Sequence, residues 1–98
     1  MLLQSIQDQE GKISSLYDSS NVLASKYDPH SKKFVIIFNN GGQYLYDNVP
    51  ESTFNEFQKA KSQGKLIHSL IKTYHGKKVS VVDVRTIIED IENLKKQK

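Results

Sequence analysis

The alternation of apolar and polar positions changes period along the chain, and each change marks an element. The run Lys33-Phe34-Val35-Ile36-Ile37-Phe38 has a β-branched and aromatic core, the pattern of a strand covered on both faces. It predicts a central strand over Lys33 to Asn39. Asn21 to Tyr27 reads as the strand before it, joined through Asp28-Pro29-His30-Ser31, where Asp and Pro supply turn geometry. Gln43 to Asp47 reads as the strand after it, joined through Asn39-Asn40-Gly41-Gly42, residues that tolerate the positive φ of a hairpin. The order is a three-stranded antiparallel meander. Residues 1–18 hold Leu2, Leu3 and Ile6, then Gly11, then Ile13 and Leu16, and read as a short helix or a docked arm.

From Val49-Pro50 the period becomes helical. Proline suits the first helical turn, and Glu51 favours the positive end of the helix dipole. Phe54, Phe57 and Ala60 recur every three residues, with Gly64 as the expected stop. A second helix over Lys65 to Tyr74 carries Leu66, Ile67, Leu70, Ile71 and Tyr74 on one stripe, and His75-Gly76-Lys77-Lys78 breaks it. Ser80 and Asp83 form a weak capping box for a last helix. There Val84, Ile87, Ile91 and Leu94 step 3-4-3 and Ile88 widens the apolar face. About 17 residues would span about 25 Å, with Lys95, Lys96 and Lys98 at the negative end of the dipole.

Composition narrows the class. The chain has 98 residues, 37% apolar and 26% charged, with no cysteine. That length suits one domain with a modest core. The missing cysteines exclude a disulfide scaffold and thiol chemistry. No apolar run approaches the roughly 20 residues of a spanning helix, and Met1-Leu2-Leu3-Gln4 does not read as a signal peptide. A small basic soluble domain in the cytoplasm is the expectation.

An ordered set of residues then narrows the reading further: Ser20-Asn21, Tyr27-Asp28-Pro29, Phe38, Gly41-Gly42, Tyr44-Leu45-Tyr46, Val49-Pro50, Ala60, Ser62, Gly64 and Ile71-Lys72. This set resembles the KTSC domain, which is found at the C-terminus of some lysyl-tRNA synthetases and as a small stand-alone protein of bacteria and phages. The resemblance centres on Tyr44-x-Tyr46 followed by Val-Pro and a helix, and covers about residues 19–75. Two positions depart from it: Ile67-His68 stand where the family often has an aromatic residue and Asn, and Tyr74 falls one residue early. The synthetase context implies RNA binding. Residues 1–18 and 76–98 lie outside the resemblance.

Charge is segregated as well. From Phe57 to Val82 there are six lysines (Lys59, Lys61, Lys65, Lys72, Lys77 and Lys78) and no acid; the chain's net charge is +3, so the remainder sums to −3. Such a stretch is either a solvated face or the footprint of phosphate binding. Lysines act as point charges and suit sequence-independent contacts, with only Arg85 able to read a base edge in bidentate fashion. Tyr44 and Tyr46, two apart on a strand, point to one face. They read as a base-stacking platform or as cover for Phe34, Ile36 and Phe38. His68 and His75 would stand about 10 Å apart along a helix, too far to share a metal. Gly64-Lys65 lacks the first glycine and the Ser/Thr of a phosphate loop, with Lys59 and Leu66 in those places. The serines fall in turns and caps, and Glu89, Asp90 and Glu92 make an ordinary solvated face, so catalysis is not expected.

These readings converge on an α+β domain: a three-stranded antiparallel meander packed by two helices, with a longer C-terminal amphipathic helix. The expected function is a non-catalytic module that binds nucleic acid, RNA in preference to DNA. The expected contacts are Lys65, Lys72, Lys77, Lys78, Tyr44 and Tyr46, without metal or cofactor. The stripe Val84, Ile87, Ile88, Ile91 and Leu94 would dock on the sheet or pair two copies as a homodimer. Its acidic face disfavours a membrane. A protein-interaction module, such as a phage-type factor binding a host protein, and a small anionic nucleotide-binding protein are the alternatives.

Overall fold

The computed structural model describes residues 1–74, 76–79 and 89. Six strands run in chain order through one antiparallel sheet: β1 (Leu2–Gln7), β2 (Ile13–Tyr17), β3 (Val22–Asp28), β4 (Lys33–Phe38), β5 (Gln43–Tyr46) and β6 (Lys77–Val79). Two short helices, α1 (Glu51–Lys59) and α2 (Gln63–Tyr74), connect β5 to β6. The expected three-stranded meander is thus the middle half of a six-stranded sheet. The expected C-terminal helix, with Val84, Ile87, Ile88, Ile91 and Leu94, lies outside the described residues.

The extra strands correct two expectations, for reasons visible in the side chains. Residues 1–18 are neither a helix nor an arm: β1 and β2 form a hairpin that turns at Gly11, whose φ is +90°. The sequence hides this because Ser14 and Ser15 are buried. Ser15 is supplied from α1, where the Gln58 amide donates to Ser15 Oγ at 2.6 Å and to Ser5 Oγ at 3.0 Å. Lys77 and Lys78, read as a helix breaker, belong to β6 because β5 offers an open edge of backbone groups to pair with.

β4 lies inside the sheet and divides two apolar clusters. On one face Phe34 and Ile36 join Tyr17, Val22, Tyr27 and Tyr46 beneath α1 and α2. On the other, Val35 and Ile37 join Ala24. The first cluster is built on aromatic contacts. The Tyr27 and Phe54 rings stack at 4.4 Å, and Phe34 meets Phe54 and Phe57 edge-on at 5.4 and 5.3 Å. Tyr27 Oη donates to the Val49 carbonyl at 2.7 Å, pinning the start of α1 to β3. α1 ends at Ala60, which is extended. Gly64 is not its stop. The buried Gln63 amide takes that role by donating to the carbonyls of Phe57 and Ala60 at 3.1 and 3.0 Å, satisfying groups a helix end leaves bare.

Burial of the phenols gives the fold an alkaline limit. Burial pushes the Tyr17 hydroxyl up to about 12, against the pull of its hydrogen bond to Ser25. Tyr27 is raised by burial and then by the charges of Glu51 and Asp28, and Tyr46 by burial and then by Tyr44. A folded pKa above the unfolded value means stability is intact below pH 10 and is lost as pH rises through the folded value. Tyr17 alone accounts for about 2–3 kcal/mol across that window. Urea midpoints should be flat from pH 7 to 9 and fall steeply between 10 and 12, whereas a midpoint independent of pH to 12 would mean the phenols are solvated.

Candidate functional site

Beside α2, on the same face, the sheet leaves an open cleft of about 640 Å³, within the range of small-molecule sites. Four separate segments build it: Ser20 and Asn21 before β3, the β4–β5 hairpin from Phe38 to Gly42, Tyr44 and Tyr46 on β5 with Gly76 and Lys78 opposite, and the first turns of α2 at Gly64 and Ile67. The hairpin forms because Gly41 takes φ +89°, which L side chains resist. The Asn40 carbonyl oxygen accepts the Gly42 N–H at 2.9 Å, and the Asn39 amide donates to the Ser19 carbonyl at 2.9 Å. The second bond ties the hairpin to the loop that carries Asn21.

The structure sorts the sequence-derived contacts by face. Tyr44 and Lys78 are register partners on β5 and β6, and both line the cleft. Tyr44 is half-buried and meets Phe38 edge-on at 5.5 Å. Tyr46 is 1% exposed and serves as floor, so Tyr44 is the ring open to a ligand. Lys77 pairs with Leu45, and strand alternation turns it to the opposite face. The two neighbouring lysines therefore do not act side by side. Lys65 and Lys72 are exposed on α2 and are not in the cleft wall, although Lys65 follows Gly64 directly. Among the described residues the one ion pair is Lys12 with Glu10 at 3.4 Å, so none of these lysines is neutralised by a described acid. Among the described residues, Lys78 is the only charged one lining the cleft. Among the described residues no three His, Asp or Glu side chains converge as a metal would require.

Sequence reasoning passed over Asn39 and Asn40 as turn formers and Gly76 as a breaker. The available signal was the density of amides around the hairpin, which a turn alone does not need.

The fold is a six-stranded antiparallel sheet with two short helices on one face and a cleft at their margin. Residues 18–74 match the KTSC domain, and the chain belongs to that family. The fold is similar to the crystal structure of a KTSC domain protein from Yersinia pestis, with a TM-score of 0.64 and 30% identity, covering 70% of this chain and 99% of that one. A protein of Tsukamurella paurometabola is 33% identical over 55 residues, which is 56% of this chain and 82% of that protein.

Proposed function

We propose that this chain is a non-catalytic module that binds single-stranded nucleic acid, RNA in particular, along the cleft and the neighbouring face of α2. The observation that carries this reading is the pairing of Tyr44 with Lys78 across β5 and β6, an aromatic face beside a cation in a cleft whose described lining includes no acid. Stacking on such a ring is worth about 1–3 kcal/mol per base and tolerates any sequence. Lys65 and Lys72, exposed and seven residues apart, stand on one side of α2 about 10 Å apart along its axis. They extend the positive track beyond the cleft. The synthetase context of the family favours RNA over DNA.

The test is fluorescence anisotropy with a labelled single-stranded RNA. Three phosphate contacts, at Lys65, Lys72 and Lys78, imply a log–log salt slope near −2, or about twentyfold weaker binding from 50 to 200 mM salt. In Lys65→Glu/Lys72→Glu, with one contact left, the slope should flatten to about −0.7. An unchanged slope in that variant removes the reading.

A protein-interaction module is the second reading. It is favoured by the outer strand β1, where Leu3 is 61% exposed beside the preceding Met1 at 62%. A partner retained after nuclease treatment and high salt, then lost on Leu3→Lys, would support it.

A further inference from the structure

The cleft holds more directional chemistry than a phosphate track needs. Hydrogen bonding fixes the orientation of two of its amides. Because Asn39 Nδ2 is used on the Ser19 carbonyl, that side chain presents its oxygen, an acceptor. Because Asn40 Oδ1 is used on the Gly42 N–H, that side chain presents its NH2, a donor. Asn21 is exposed, and its side-chain amide has no hydrogen-bond partner among the described residues, so it offers both. Gly64 keeps that amide its room: a Cβ there would lie 3.1 Å from Asn21 Nδ2. An acceptor, a donor and a free carboxamide beside an aromatic wall complement the edge and face of a nucleobase, which presents donors and acceptors in one plane. A ribose-phosphate backbone offers acceptors and hydroxyls but no such planar edge. Two of the amides are held by backbone groups, so little ordering is lost on binding.

We propose that the cleft receives one unpaired nucleotide of the bound strand. Its base stacks on Tyr44, its edge is read by Asn21, Asn39 and Asn40, and its phosphate lies against Lys78. The proposal rests on the strand-binding reading above and adds that the base itself, rather than the backbone, is recognised there. Asn21 is the selecting residue, because its side-chain amide is committed to no other described residue.

The experiment compares a labelled single-stranded RNA with an abasic strand of equal length, using the full chain at fixed salt. The intact strand should bind at least about thirtyfold more tightly, the combined effect of stacking and edge hydrogen bonds at one base. Asn21→Ala, at an exposed position, should weaken the intact strand about tenfold, leave the abasic strand unaffected and keep the salt slope. Adenosine or cytidine monophosphate alone should shift the NMR amide resonances of Asn21, Tyr44 and Lys78. Equal affinity for intact and abasic strands, or an Asn21→Ala variant indistinguishable from the parent, overturns the base site and leaves strand binding standing. No binding of either strand at low salt overturns both.

Discussion

Phe34→Ala should cost about 3–5 kcal/mol of folding free energy, the largest single loss expected in this domain. Phe34 is fully buried. Its ring is shared between β3, through Tyr27 at 5.9 Å, and α1, through Phe54 and Phe57. Removing it takes away the transfer energy of a whole aromatic side chain and leaves a cavity that three other rings cannot close without giving up their own edge contacts. Small domains have about 5–15 kcal/mol in hand, so the variant should sit near its unfolding transition at 25 °C. Urea unfolding followed by circular dichroism measures it. A loss below about 1 kcal/mol would mean that α1 does not rest on β4 as described.

Gly76→Ala carries the second large effect, and its cause is steric rather than conformational. A Cβ at position 76 would stand 2.7 Å from Tyr46 Cζ and 2.9 Å from Cδ1, closer than carbon atoms pack. The ring cannot retreat, because Tyr46 is 1% exposed and belongs to the cluster formed by Phe34, Phe54 and Val49. Either the ring or the approach of the chain to β6 must shift, an overpacking cost of about 1–3 kcal/mol. In a Tyr46→Leu background the obstructing ring atoms are gone, so the same glycine change should be nearly neutral. A double-mutant cycle should return the difference as coupling energy. Additive effects would show that Gly76 does not pass over the ring. Both residues line the cleft, so under the proposed strand-binding function RNA affinity should fall with Gly76→Ala and recover little in the double variant.

The apolar runs and turn residues determined β3, β4, β5 and the two helices to within a few residues, because in these segments local preference and global burial agree. Phe34-Val35-Ile36-Ile37-Phe38 is a strand by composition and is covered on both faces. Tyr44, Tyr46 and Lys78 were legible as candidates for the same reason, a period of two on a recognisable strand and a lysine in an acid-free stretch. The KTSC resemblance was legible too, in the ordered spacing from Ser20-Asn21 to Ile71-Lys72.

Tertiary structure decided the rest, wherever a residue's role depends on a partner far along the chain. Ser15 falls in a segment that reads as a short helix or docked arm, and becomes buried strand with its hydroxyl satisfied by Gln58, 43 residues away. Lys77 and Lys78 read as part of the break His75-Gly76-Lys77-Lys78, and with Val79 become a strand because β5 presents an edge to pair with. The split between Lys77 and Lys78 follows from that pairing alone, since strand alternation sends neighbours to opposite faces. The cleft is the extreme case. Its amides, ring and cation come from four segments between Ser20 and Lys78, and only the long-range closure of the sheet brings them together. Sequence periodicity reports which face a residue occupies within one element, while a site shared among elements is set by register and packing, which local pattern does not encode.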